Sequence, residues 1–234
     1  MITVLTSMAT RRLLDDLAQA YHPRGGEVHI VAQGGVDAVR NIRQGATYDV
    51  AVLSEDALRQ LITEQLILAD SETPLSDSPM AAAVRSDAPA YDLATEPGLR
   101  QALLECAVIG LSTGPSGRHL RQRFAEWGLG EDEIRVVEAP PGVPVGSLVS
   151  DGRVALGFQQ HSELLAIPGL RILRALPPGI QTLTRFSAGL LRTCQNPAAA
   201  RQWLAFLASP EAAAFQPRHG LEPAPATDSR PRRA

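Results

Sequence analysis

Four short stretches carry the polar residues whose types and spacing could do chemistry. The fullest is residues 111–124, LSTGPSGRHLRQRF, where Ser112, Thr113, Ser116, Gly117 and Arg118 lie between an apolar run and a helical period. A glycine-containing turn at a helix start leaves backbone N–H groups without partners and sets the positive end of the helix dipole beside them, so it favours an anion. Hydroxyls and Arg118 add donors. Two related turns follow in the N-terminal half, the hydroxyl-bearing one at Thr6 and Ser7 and the glycine-rich one at Gln33, Gly34 and Gly35, and Ser54, ahead of Glu55 and Asp56, ends a further strand. One Ser-Gly turn is explained equally well by helix capping. Several of them point to one shared anion.

Such turns need strands behind them and helices in front. Residues 2–5 form an expected strand, and Leu13, Leu14, Leu17 and Tyr21 mark one face of the helix after it. A second strand is expected over 28–32, then a helix carrying Val36, Val39 and Ile42 with Arg40 and Arg43 on its other faces. Residues 49–53 make a third strand, and Ser54 caps a helix through Leu61. This alternation predicts βαβ units and a mostly parallel sheet, whose ligands gather outside the carboxyl ends of the strands. Residues 71–79, rich in Ser, Asp and Pro, are expected to be a linker, and 80–84 a strand entering a second region. There the pattern resumes. Residues 107–111 and 134–137 are strands, APPGVPVG at 139–146 turns into a helix near Val145, and 154–158 is a strand leading to Gln159, Gln160 and His161. Strands at 170–173 and 186–191 precede two helices, one capped by Asn196 with Pro197 at its first position, one opened by Ser209 and Pro210.

Composition narrows the function classes. The 234 residues suffice for one large domain or two lobes with a core each. A net charge of -3 gives no basic footprint for nucleic acid. All 22 basic side chains are arginine, which excludes a lysine Schiff base. Cys106 and Cys194 have neither metal-ligand spacing nor a disulfide framework around them, so no metal and no cofactor are expected. No apolar run reaches the roughly 18 residues needed to span a bilayer. With Met1 as the native start the protein is expected in the cytoplasm; with a removed leader, in the periplasm. The Pro-rich end, residues 226–234, is expected to be a disordered tail.

Five segments, in order, carry a family resemblance: TSMATRRLLDDLAQAY, QGGVDAVRNIRQGATYDVAVLSED, STGPSGRHLRQRF, DGRVALGFQQHSEL and ARQWLAFLASPEAAAF. The chain resembles the molybdate-binding periplasmic proteins, a branch of the type 2 solute-binding proteins, over nearly its whole length. The resemblance implies an α/β fold of two lobes, each a mostly parallel sheet flanked by helices, joined by two crossing strands with a ligand cleft between. Residues 1–79 and 185–225 would form lobe 1, and 80–184 lobe 2. It further implies that Ser7 stands at the first ligand serine, that Gln33, Gly34 and Gly35 replace a Ser-Ser-Gly turn, and that Ser116 is a backbone donor. Pro144 or Val145 would be a later backbone donor, and Phe158 stands at the ligand tyrosine. Loss of a hydroxyl at Gly34 and of a phenol at Phe158 implies a roomier site, less suited to a compact tetrahedral dianion.

The expected function is therefore binding of a small organic di- or tricarboxylate, with Arg40 and Arg118 as candidate carboxylate forks. An ABC transporter is an expected partner only if the protein is exported, and the chain is expected to act as a monomer. Aconitate isomerases, similar to this family in fold, supply the alternative: an isomerase that moves an allylic proton in an unsaturated tricarboxylate. That chemistry needs a proton carrier, for which His161 is the first candidate, with Glu55 and Glu163 behind it. Molybdate or tungstate capture for import ranks third, and no G-x-S-x-G elbow supports a hydrolase.

Overall fold

The computed structural model describes residues 1–106, 108–130, 132–140 and 142–224, so the tail expected over 226–234 lies outside the described residues. The first half runs β1 (Ile2–Ser7), α1 (Arg11–Tyr21), β2 (Val28–Gln33), α2 (Gly35–Arg43), β3 (Val50–Ser54) and α3 (Glu55–Thr63), with 3-10 turns before α1 (Met8–Thr10) and after it (His22–Arg24). Leu13, Leu14, Leu17 and Tyr21 are buried together, as their spacing predicts for one apolar face. β1 pairs in parallel with β2 on one side and β3 on the other.

Residues 73–79 are not a linker. They open β4 (Thr73–Arg85), a single strand of 13 residues. Ser, Asp and Pro make this stretch look like a loop, yet β9 (Leu183–Leu190) pairs with it antiparallel from Thr73 to Pro79, and the register shift between Pro74 and Ser76 falls beside a proline that has no N–H to donate. From Met80 onward the partner changes. Met80 to Ala83 pair with β7 (Leu156–Gln160), and Ala82 to Arg85 also with β8 (Leu170–Leu173).

Between those strands lie α4 (Glu96–Cys106), β5 (Val108–Leu111), α5 (Pro115–Glu126), β6 (Arg135–Glu138), α6 (Val145–Ser150) and α7 (His161–Leu164). After β9 come α8 (Pro197–Leu207), α9 (Pro210–Ala213) and β10 (Glu222–Pro223). The strand order β2-β1-β3-β9-β4-β7-β5-β6 makes β4 common to both halves of a curled sheet. β5 is parallel to β6 and β7, so each lobe keeps a parallel sheet beside antiparallel crossing strands. The cores are separate: Trp203, Tyr21 and Phe206 centre one, Phe124, Phe158 and Leu111 the other.

Asp49, just before β3, ties three segments of the first lobe. Its carboxylate accepts from Thr3 N (2.8 Å), Thr3 Oγ1 (2.9 Å), Gln195 N (3.1 Å) and Cys194 Sγ (3.3 Å). Burial works to raise this carboxyl, and the hydrogen bonds together outweigh it and hold it below the ordinary aspartate range. A depressed carboxyl contributes stability that is present above its unfolded-state value and lost as pH falls through the folded one. Asp49→Ala is expected to cost roughly 2–4 kcal/mol at neutral pH, because it strands two backbone N–H groups. Urea melts check this, and a loss below about 0.5 kcal/mol would show that water satisfies those groups equally well.

Candidate functional site

Strand register places the expected ligand turns at common edges. Ser7 at the end of β1 is the partner of Gln33 at the end of β2, and Thr6 is the partner of Val52, two residues before Ser54. In the second lobe Leu111 is in register with Glu138 and with Phe158, which sets the 112–117 turn, the turn before α6 and Gln159 along another edge. Parallel strands leave the carboxyl ends of each sheet on one side, so the helices that follow begin there.

Those helix starts share one property. Thr10 before α1, Gly34 before α2, Ser54 before α3, Gly114 before α5, Pro144 before α6 and Gln160 before α7 occupy capping positions, and none makes a side-chain cap hydrogen bond. Ser54, expected to cap α3, could do so and does not. By contrast Asn196 accepts from Ala199 N at the start of α8, and Ser209 from Ala212 N at the start of α9, both away from these edges. At α2, α3 and α5 no side-chain cap competes with an outside acceptor, where the helix dipole also favours negative charge, whereas Gly146 N at the start of α6 already donates to Gln159 Oε1 and Arg11 N at the start of α1 to the Met8 carbonyl.

Side chains fill in the detail. Thr6 Oγ1 lies 2.7 Å from Thr10 Oγ1, which is 3.5 Å from Ser7 Oγ. Gln33 Oε1 accepts from Asn41 Nδ2 at 2.7 Å. Ser116 is buried with its Oγ 3.4 Å from Ser112 Oγ, while Thr113 is exposed and its carbonyl accepts from exposed Arg118. Arg40 is bound to Asp37 on the surface of α2. Phe158, placed by resemblance at a ligand position, is 1% exposed and meets Phe124 edge-on at 6.1 Å, so its ring is committed to the core. Alternation along β7 explains this: the neighbouring Gln159 faces α6, its Oε1 accepting from Gly146 N at 3.3 Å.

A cavity of about 380 Å³ lies between the lobes. Met8, Ala9, Arg11 and Arg12 line it from the β1–α1 corner. Pro144, Ser162 and Glu163 line it from the starts of α6 and α7, with Asp15 and His219 at its sides. Of the expected ligand-binding residues Pro144 alone is among its lining residues, joined by Glu163 of the candidate proton carriers; Thr6, Ser7, Gln33, Gly34, Gly35, Ser54, Thr113, Ser116, Gly117, Arg118, Val145, Phe158 and Gln159 are not. Arg40 and Arg118 do not line the cavity, and Arg11 and Arg12 do. Their signal was available: two arginines begin a helix directly after the Ser7 corner, within a turn of the strand edge.

His161 is buried at the start of α7. Its Nδ1 is 3.3 Å from the Gly220 carbonyl oxygen, and burial, with the charge of Arg174, pushes its imidazole below the usual value. Packed on that C-terminal segment, it does not line the cavity, whereas Ser162 and Glu163 do. Glu55 is paired with Arg59 at 3.0 Å. Burial pushes the Glu163 carboxyl up to about 7, against a hydrogen bond from Gln159 that pulls it down. Among the described residues, no three His, Cys, Asp or Glu side chains group as metal ligands, and no helix is long and apolar enough to cross a membrane.

A family model described as bacterial extracellular solute-binding protein matches residues 2–222. Aconitate isomerase of a Pseudomonas species is 32% identical over 232 residues, 96% of this chain and 88% of that protein. The periplasmic molybdate-binding protein of Azotobacter vinelandii superposes with a TM-score of 0.77 at 21% identity, covering 94% of this chain and 98% of its own. The sulfate-binding protein SubI of Mycobacterium tuberculosis gives 0.76 at 16% identity, over 96% and 87%. At such identities the structural likenesses speak to the two-lobed fold.

Proposed function

Since the chain belongs to the bacterial extracellular solute-binding proteins, we propose that it holds a small organic di- or tricarboxylate between its lobes. The observation that carries this reading is the interlobe cavity in which Arg11 and Arg12 of α1 stand across from Pro144, Ser162 and Glu163 of the other lobe. A guanidinium is planar and matches a carboxylate fork, so two of them suit a ligand with several carboxylates. The space, about 380 Å³, exceeds what one compact tetrahedral anion fills. The family description favours the exported alternative over the cytoplasmic one.

A second reading, isomerisation of an unsaturated tricarboxylate, is favoured by the aconitate isomerase relative, which aligns with this chain along nearly its full length. Binding and turnover are compatible, since the isomerase must first hold its substrate. Capture of molybdate or tungstate ranks behind both.

A thermal-shift screen tests the binding reading. Citrate, cis-aconitate or trans-aconitate at a hundredfold excess over Kd is expected to stabilise the protein by about 2.7 kcal/mol, which raises Tm by roughly 5–10 °C for a chain of this size. Arg12→Ala is expected to lose most of that shift. Equal stabilisation by molybdate, or no shift with any carboxylate, overturns the reading.

A further inference from the structure

Besides its arginines, three ionisable side chains line the cavity: Asp15, Glu163 and His219. Asp15 is 3.7 Å from Arg11, and His219 Nε2 is 3.0 Å from Asp16 Oδ2. Glu163 has no ion-pair partner among the described residues. Its surroundings are built rather than incidental. Gly146 N at the start of α6 donates to Gln159 Oε1, so the amide end left to meet Glu163 is the N–H end. Beside it Ser162, 7% exposed, lines the same cavity with its Oγ buried and without a partner. Arg11 and Arg12 face the pair from α1, and His219 from the C-terminal turn.

We propose that Glu163 is the catalytic residue that carries the proton in an allylic isomerisation of an unsaturated tricarboxylate bound in this cavity, with Gln159 as its positioning residue. The assignment rests on the isomerase reading. The Glu163 carboxylate takes a proton from the methylene carbon of the bound acid, forming an O–H bond. The electron pair of the broken C–H bond becomes part of the new C=C bond as the old one shifts its pair toward the far carbon and its conjugated carboxylate. Glu163 then returns the proton to that far carbon, which breaks the O–H bond and restores the carboxylate. Nothing is oxidised or reduced. Arg11 and Arg12 stabilise the charge that builds on the substrate in between. A carboxyl raised to about 7 by burial is matched to this two-way traffic, since it both accepts and releases a proton near neutral pH.

The test follows cis- and trans-aconitate by proton NMR with the wild type, Glu163→Gln, Glu163→Asp and Gln159→Leu, beside thermal shifts with the same acids. Glu163→Gln is expected to keep the thermal shift and lose at least about 100-fold in kcat, and Glu163→Asp to recover part of it. Wild-type kcat/KM is expected to rise with pH through a limb near 7. In Gln159→Leu that limb moves to higher pH, because the hydrogen bond holding the carboxyl down is gone. An active wild type beside an equally active Glu163→Gln overturns the assignment alone, as does loss of turnover in His161→Asn with Glu163→Gln still active. A wild type that binds the aconitates and does not interconvert them overturns the isomerase reading and the assignment with it.

Discussion

Alanine at Gly117 is expected to lower Tm by at least roughly 6 °C, from a loss of about 3 kcal/mol or more. A Cβ there would lie 1.8 Å from the carbonyl oxygen of Ser112 and 2.9 Å from its carbonyl carbon. Both are backbone atoms, so no side chain can swing aside to make room. The turn between β5 and α5 would have to open, which separates Ser112 from Ser116 and re-aims the N–H groups at the start of α5. If this corner helps hold the anion, the carboxylate-induced shift falls as well. Two other glycines at strand-to-helix corners, Gly114 and Gly35, give the contrast. A Cβ at Gly114 meets only Ser112 Oγ at 3.7 Å, and one at Gly35 meets nothing within 4 Å, so alanine at either is expected to melt within about 2 °C of wild type. Thermal melts of the three variants decide the matter; a Gly117→Ala protein that melts with the other two would refute the tight turn.

Trp203→Ala is the second large effect, an expected loss of about 3–5 kcal/mol by urea unfolding. Trp203 is fully buried on α8, 5.1 Å from the ring of Tyr21 on α1 and 5.6 Å from that of Phe206. Removing it empties the contact between α1 and α8, and α1 carries both cavity arginines. Trp203→Phe is expected to cost far less than alanine. Trp203 Nε1 is buried without a hydrogen-bond partner, so phenylalanine loses some packing but also removes an unsatisfied N–H. Equal losses for the two variants would mean that ring packing is not what holds the helices together.

Local signals made most of the architecture legible. Apolar runs of strand length alternating with helical periods fix β1 through α3, and proline after Asn196 and after Ser209 marks α8 and α9. What could not be read was pairing across the chain. Residues 73–79 look like a linker because their own composition is polar, and the strand that claims them lies more than 100 residues away, Asp77 opposite Arg185. The site follows the same division. Register brings Ser7 beside Gln33 with Ser54 close by, as the turns suggested, but spacing cannot say which arginine faces the opposite lobe. That depends on how the lobes meet, and it separates Arg11 and Arg12 from Arg40 and Arg118. Likewise α7 is four residues long, too short for periodicity to tell the side of His161 from that of Glu163.

The borrowing of β9 by the first sheet has a consequence for synthesis. β3 takes its outer neighbour from Val50↔Leu190 to Ser54↔Phe186, so one edge of β3 stays bare until the ribosome has passed residue 190. Strands β5 to β8 and their share of β4 are all made before then. The segment inserted in the middle of the gene product can settle while the beginning still waits, and a nascent chain stalled in that interval presents an open strand to its neighbours.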